Sequence, residues 1–151
     1  MRNYTRRYKI NVQNPDILLY LCSALKSNHM SLDITLTSAH PQEQVCVHCG
    51  HTNADIVELY SANITHNLNA MAEAVGIYEP LWRPKENGIK TAAQLIDVLT
   101  LGVAQLRSNP AYYKTFDSPN GWGIYKDFVP WVEALLAACI QYPDAIVEVD
   151  I

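Results

Sequence analysis

The residues with the clearest capacity for chemistry are cysteines and histidines that cluster in one short run. The run reads His40-Pro-Gln-Glu-Gln-Val-Cys46-Val-His48-Cys49-Gly50-His51. Zinc is held by four thiolate or imidazole ligands in a tetrahedron, and a C-x-x-C pair followed by glycine lets two thiolates reach one ion. The spacing therefore favours a structural zinc site. Its candidate ligands are Cys46, Cys49, His51 and His40, with His48 as the alternative to His40.

Two other interpretations of this run stay open. One is a metal-free polar loop with ordinary thiols, because a full zinc ribbon carries two C-x-x-C pairs and this run has one. The other is redox chemistry of Cys46 and Cys49, which is less favoured because no helix start follows the pair directly to lower a thiol pKa. If zinc binds, four protein ligands make it structural, whereas an open coordination position would make it catalytic.

A second group of chemically capable residues lies in two distant segments. Residues 60–71 form a strand-to-helix turn crowded with hydrogen-bonding side chains, and residues 118–128 form a glycine turn that enters a helix. Helix starts expose free backbone amides at the positive end of the helix dipole, which suits an anion or a phosphate. Placed together, the two segments would offer a ligand backbone amides, Asn side chains, one titratable histidine and flat aromatic faces.

Ordinary structural roles compete with these functional ones. Asn63 and Thr65 are good helix caps, and His66 is more often a hydrogen-bonded or exposed histidine than a ligand or a base. Trp122 and Tyr125 suit core positions that bridge helix and sheet. The pair Asn120-Gly121 predicts a turn whatever else it does.

The elements that must position these residues follow from hydrophobic periodicity. Strand patterns occur at residues 6–12, 30–37, 56–60 and 145–149, and a polar loop at 38–53 joins the second to the third, which should pair antiparallel. Helical patterns occur at 14–26, 65–75, 91–106 and 122–142, with a short turn at 110–116. Thr91 and Gln94 predict a capping box, and Pro130 should bend or split the last helix.

This order of elements predicts an α+β fold, with a small antiparallel sheet and about three to four helices packed on one face. Residues 1–29 are interpreted as a strand-helix extension and residues 30–151 as the core domain. Cys22 and Cys139 lie in apolar helical patterns and are expected to be small core residues.

Charge and composition narrow the class of partner. The first 15 residues hold 4 of the 11 Lys and Arg and no acid, so the remaining chain carries 7 basic against 15 acidic residues. Such a body is a poor surface for duplex DNA, where phosphate contacts dominate affinity. The chain shows neither a membrane-spanning apolar run nor a signal-peptide pattern, and we expect a cytoplasmic protein.

Several segments together resemble a family of proteins. They are Ser-Leu-Asp-Ile-Thr-Leu at 31–36, Tyr-Ser-Ala-Asn-Ile-Thr-His-Asn-Leu at 60–68, Leu-Trp-Arg-Pro at 81–84, Pro-Asn-Gly-Trp-Gly-Ile-Tyr at 119–125, and the ending from Cys139 through Tyr-Pro-Asp-Ala at 142–145. Over about residues 30–150 the chain resembles a widespread family of small, largely uncharacterised phage and prophage proteins. The first 29 residues and the Cys-His run depart from that pattern, and the family implies no particular reaction.

By analogy, the resemblance implies a counter-defence factor that sequesters a nucleotide-derived immune signal, such as an ADP-ribose derivative or a cyclic nucleotide, without turnover. A homo-oligomer is expected. Aromatic faces would stack an adenine, while Arg83, Lys85 and the amides of 120–123 would hold phosphates. The candidate ligand-binding residues are Asn63, His66, Asn67, Trp82, Arg83, Asn120, Gly121, Trp122 and Tyr125.

Two alternative functions stay open. The first is a protein-interaction module that inhibits a host enzyme, with zinc only stabilising its fold. The second is a nucleotide hydrolase with His66 as general base, against which stands the lack of a G-x-S-x-G, H-E-x-x-H or phosphate-binding loop in the sequence.

Overall fold

The computed structural model describes residues 31–151 and shows a small antiparallel sheet and a separate hairpin. The strands are β1 (Ser31–Thr37), β2 (Gln42–Val45), β3 (Thr52–Asp55), β4 (Glu58–Thr65) and β5 (Ile146–Asp150). In the main sheet β1 is central, with β4 on one side and β5 on the other, and both pairs are antiparallel. Within the described residues, β2 and β3 pair only with each other.

The sheet has one apolar face because β1 alternates strictly. Leu32, Ile34 and Leu36 are fully buried, whereas the residues between them are half-buried and polar. Successive side chains of a strand point to opposite faces, so this alternation directs the aliphatic side chains into the core and the polar ones to the other face. The polar face of β1 is therefore fixed by the same pattern that builds the core.

Five α-helices occur in the described part of the chain. They are α1 (Asn69–Ala74), α2 (Tyr78–Trp82), α3 (Ala93–Ser108), α4 (Pro110–Tyr113) and α5 (Tyr125–Gln141). The two long helices, α3 and α5, bury one stripe each, led by Leu95 and Leu99 on α3 and by Phe128 and Leu135 on α5. With the apolar face of the sheet these stripes form one core, and the predicted α+β fold is confirmed.

Several local predictions are confirmed. β1 and β4 pair antiparallel as expected, and the closing strand β5 completes the sheet. Cys139 is fully buried in the core. The predicted strand at 6–12, the helix at 14–26 and Cys22 lie outside the described residues.

Other local predictions were wrong. The segment 38–53 is not a simple loop, because β2 and β3 form a hairpin that reaches into it. The capping box is only half made: the Gln94 side chain accepts from the Thr91 amide at 3.1 Å, but the Thr91 hydroxyl caps no helical amide. Of the two effects predicted for Pro130, a bend or a split, the split does not occur, because α5 runs unbroken around it. Across residues 31–151, no helix is both long and apolar enough to cross a bilayer.

Candidate functional site

The two polar-aromatic segments meet at a groove beside the N-terminal end of β1. The groove encloses about 400 Å³. Its lining residues are Ser31, Asn63, Thr65, Asn67, Asn120 and Trp122. Four of the nine predicted ligand-binding residues thus line one groove, and Gly121 lies in the turn between two of them.

The sheet side of the groove is set by the pairing of β1 with β4. Ser31 lies opposite Thr65, and Asp33 lies opposite Asn63, so four polar side chains form two neighbouring cross-strand pairs on the polar face. The Asn63 side-chain amide donates a hydrogen bond to the Asp33 carboxylate. This contact orients Asn63 and uses its side-chain nitrogen. The side-chain oxygen of Asn63 therefore stays available as an acceptor in the groove.

The other side of the groove is the turn that precedes α5. The Asn67 side-chain amide donates to the Trp122 carbonyl at 2.9 Å and ties this turn to the end of β4. Gly123 permits the approach: its φ is +89°, and a Cβ there would lie 2.9 Å from Thr65 Cγ2. The close packing of glycine against this chain segment therefore brings the two distant segments together.

Trp122 is presented by a rigid turn. Its backbone amide donates to the Asn120 side-chain oxygen at 2.8 Å, and that oxygen also accepts from the Ser118 hydroxyl at 2.7 Å. The Trp122 side chain is 73% exposed. A large aromatic ring held at an exposed position offers a stacking surface for a flat ligand at low conformational cost.

The helix starts beside the groove do not offer the free amides that were expected for phosphate. The Tyr125 amide at the start of α5 donates to the Asp117 carboxylate, and the Gly121 amide donates to the Ser118 carbonyl at 2.9 Å. The Asn67 amide is taken by the Thr65 hydroxyl at 3.3 Å. A carboxylate already occupies the positive end of the α5 dipole, so the groove suits a neutral polar group better than an anion.

The structure places two predicted residues away from the groove. Trp82 is 2% exposed and lies in the core, stacked on Tyr78 with ring centroids 5.1 Å apart. Arg83 is exposed at the end of α2 and forms a 3.5 Å ion pair with Glu86. Neighbouring carboxylates, Glu86 first, raise the pKa of Arg83 above its usual value. The adenine and phosphate roles expected of these two residues do not fit this groove.

His66 and Tyr125 lie close to the groove but have structural partners. His66 Nε2 lies 2.9 Å from the Ser31 carbonyl oxygen, which is hydrogen-bond distance. The Tyr125 hydroxyl donates to the Leu106 carbonyl at 2.9 Å and so links α5 to α3. Both side chains position the walls of the groove, and neither lines it.

A larger cavity of about 570 Å³ lies along the same sheet, over β1 and β5. Its charged lining residues are Asp33, Lys85, Lys90, Glu148 and Asp150. Three carboxylates against two ammonium groups give this cavity no excess of positive charge. It has no aromatic side chain in its lining, so it lacks the stacking surface that the smaller groove has.

Residues 46–51 of the Cys-His run form the tip of the β2–β3 hairpin, whereas His40 precedes β2. Cys46 and Cys49 are free and exposed. Hydrogen bonds from the amides of His48 and Cys49, followed by one from the Cys49 thiol, lower the pKa of the Cys46 thiol. Between residues 31 and 151, no three His, Cys, Asp or Glu side chains converge on one point as a metal site. The predicted four-ligand set within one hairpin is therefore not assembled, and the zinc site stays a prediction.

Sequence reasoning missed Ser31 and assigned Thr65 only a capping role. The signal that places both in the groove is the pairing register of β1 and β4. Ser31 and Thr65 face each other in a cross-strand pair beside the pair of Asp33 and Asn63. Register depends on which residues of two distant strands face each other, and a single strand pattern does not contain it.

The chain matches no known protein-family model, no curated protein and no solved structure, so the resemblance to phage proteins also stays a prediction.

Proposed function

We propose that this protein is a non-catalytic small-molecule binder that holds the nucleoside part of a nucleotide-derived signal in the groove. The observation that carries the proposal is the combination of the exposed Trp122 ring with the side chains of Asn63 and Asn67. An aromatic face stacks a base, and neutral amides read base edges and ribose hydroxyls by hydrogen bonds. Sequestration of an ADP-ribose-like or cyclic nucleotide signal, as a phage counter-defence factor in the host cytoplasm, is the biological role proposed with it.

The charges around the groove decide which part of such a ligand is held. The nearest helix start is capped by Asp117, and none of the six lining side chains is basic. A phosphate placed there would lose hydration without gaining a cation. The phosphates are therefore proposed to face solvent, and affinity should depend on the base and ribose and only weakly on salt.

The test is isothermal titration of adenosine, ADP-ribose and a cyclic di-adenylate into the full chain. We expect adenosine and ADP-ribose to bind with affinities within a few-fold of each other. Base–aromatic stacking contributes about 1–3 kcal/mol, so Trp122→Ala should weaken binding roughly 5- to 150-fold. Tyr112→Ala removes another exposed aromatic ring, 49% exposed and outside the groove, and should leave affinity unchanged.

Turnover separates this proposal from the hydrolase alternative. A binder returns the ligand intact after long incubation, whereas a hydrolase converts it and loses that activity in His66→Ala. The position of His66 supports binding over hydrolysis, because its side chain does not line the groove in which the ligand is proposed to lie. Absence of binding by all three probes would remove the proposal.

A further inference from the structure

The tip of the β2–β3 hairpin has the folded geometry of one half of a thiolate metal site. The Gly50 amide donates to the Cys46 carbonyl at 2.9 Å, and the Cys46 amide donates to the His51 carbonyl at 2.8 Å. Gly50 has a φ of +71°, which lets the chain turn back directly after Cys49. These bonds close a tight turn with both cysteines on it.

The same turn leaves both sulfurs accessible to a cation. Cys46 and Cys49 are free and exposed on it. Two cysteines three positions apart on one tight turn, followed by a glycine, can direct their sulfurs to the same ion. A pair so arranged can serve as two adjacent corners of a tetrahedron.

The pair alone is not a complete site. Zinc takes four protein ligands in a structural site, and in the described part of the chain no third acidic, cysteine or histidine side chain joins these two. The hairpin offers no cover either: β3 is exposed along its whole length, and Val47, between the two cysteines, is 91% exposed. The cysteine pair that lacks further ligands and the valine that lacks a packing partner are thus at the same hairpin tip.

We propose that zinc joins two copies of this chain at their hairpin tips, with Cys46 and Cys49 of each copy supplying its four thiolate ligands. A twofold axis through the metal presents the same surface from both copies, as in most homodimers. The exposed valine of one tip then lies beside its counterpart, which gives these apolar side chains the cover that they lack. One Zn²⁺ replaces four thiol protons, and the resulting centre carries a net charge of −2.

The experiment uses the full chain, stripped with a chelator, kept reduced and titrated with zinc chloride under native mass spectrometry and light scattering. The expected product is a dimer with one zinc per two chains that returns to monomer on chelation. Cobalt in place of zinc should give the visible absorption of a tetrahedral thiolate site. The double variant Cys46→Ser and Cys49→Ser should bind no metal and stay monomeric.

Four further variants test the identity of the ligands and the contact between the two copies. His48→Ala with His51→Ala should keep the ratio of one zinc to two chains, and Cys22→Ser should keep it as well. Val47→Asp leaves every thiol in place and should weaken the zinc-dependent dimer at least tenfold. Leu101→Asp changes an exposed apolar residue on α3, 58% exposed, and should have no effect on it.

Four results would overturn the shared site. One zinc per monomer, lost in the histidine variants, would return the ligands to a single hairpin. Loss of zinc in Cys22→Ser would place a ligand elsewhere in the chain. A dimer that persists without metal in the double cysteine variant would make zinc irrelevant to assembly, and no zinc uptake at micromolar concentrations would remove the site altogether.

Discussion

Replacing Gly123 with alanine should uncouple the two segments that build the groove. A Cβ at this position would lie 2.9 Å from Thr65 Cγ2, 3.0 Å from Asn67 Cβ and 3.1 Å from Leu68 Cγ. Leu68 is 1% exposed and packs in the core, so displacing it disturbs other buried side chains. The residue also has a φ of +89°, which strains any L side chain.

The magnitude follows from these two terms. A left-handed backbone costs a non-glycine residue about 1–2 kcal/mol, and overpacking a tight contact costs about 1–3 kcal/mol. The free energy of unfolding should therefore fall by about 2–5 kcal/mol in Gly123→Ala. Gly121 is the matched control, because its φ is +76° but a Cβ there would meet nothing within 4 Å. Gly121→Ala should show only the backbone strain, about 1–2 kcal/mol.

Urea denaturation followed by tryptophan fluorescence and by circular dichroism measures both variants. With a slope of about 2 kcal/mol per molar urea, the midpoint of Gly123→Ala should lie roughly 0.5–1.5 M below that of Gly121→Ala. Binding at the groove should weaken in Gly123→Ala, because the turn that carries Trp122 is displaced from the end of β4. Equal midpoints for the two variants would refute the argument that the close packing of Gly123 against residues 65–68 joins the two segments.

Three other predictions concern the rest of the fold. Burial raises the pKa of the Cys139 thiol to about 11, whereas amide hydrogen bonds lower the pKa of Cys46. Alkylation of the metal-free native chain at pH 8, mapped by mass spectrometry, should therefore modify Cys46 before Cys139. The same shift predicts that folding stability falls as pH rises from the ordinary thiol pKa towards 11, since the unfolded chain releases the proton of Cys139 first, and Cys139→Ala should remove this component of the pH dependence. Phe128→Ala, at a fully buried site, should lower the free energy of unfolding by about 3–5 kcal/mol in urea denaturation. Arg107→Met removes the largely exposed ion pair to Glu133 and should lower it by less than about 1 kcal/mol. Rapid alkylation of Cys139 would contradict the first prediction, and a flat stability profile above pH 9 would contradict the second. The third would be contradicted if Arg107→Met lowered the free energy of unfolding as much as Phe128→Ala.

The fold was predictable where one period dominated the sequence. The alternation of Leu32, Ile34 and Leu36 fixes a strand and its buried face, and the spacing of Leu95, Leu99 and Leu106 does the same for α3. Those patterns place side chains by local geometry alone. α2 was not predicted, because it spans only Tyr78–Trp82 and shows no complete apolar repeat.

The hairpin was missed for a physical reason that also concerns the site. β2 and β3 carry mostly polar, exposed residues, so no apolar alternation marks them as strands. Their pairing is held by backbone hydrogen bonds and by the turn at Gly50, which a loop prediction does not include. The cysteines were recognised from their spacing, but spacing does not show which other side chains come close to them, and none does so as a third ligand in residues 31–151.

The groove was predictable as a pair of segments and not as a set of contacts. The polar-aromatic composition of 60–71 and 118–128 marked both, and Asn63, Asn67, Asn120 and Trp122 do line one cavity. The role expected for Trp82 did not fit because its ring completes the core, where aromatic side chains bury the most area. A sequence shows that tryptophan is present, whereas burial depends on what packs around it.

The groove and the hairpin lie at opposite ends of β1, and this separation decides how the two proposals relate. Ser31, the first residue of the strand, lines the groove, whereas Ser38, just beyond its other end, fixes the base of the hairpin through a 3.0 Å bond from the Val57 amide to its hydroxyl. Six residue steps at about 3.3 Å place the two ends roughly 20 Å apart. A dimer joined at the hairpin tips therefore leaves both grooves open, so that two ligands can be held by one zinc-linked pair. Because no lining residue of the groove lies in the hairpin, the loss of one activity in a variant does not require the loss of the other.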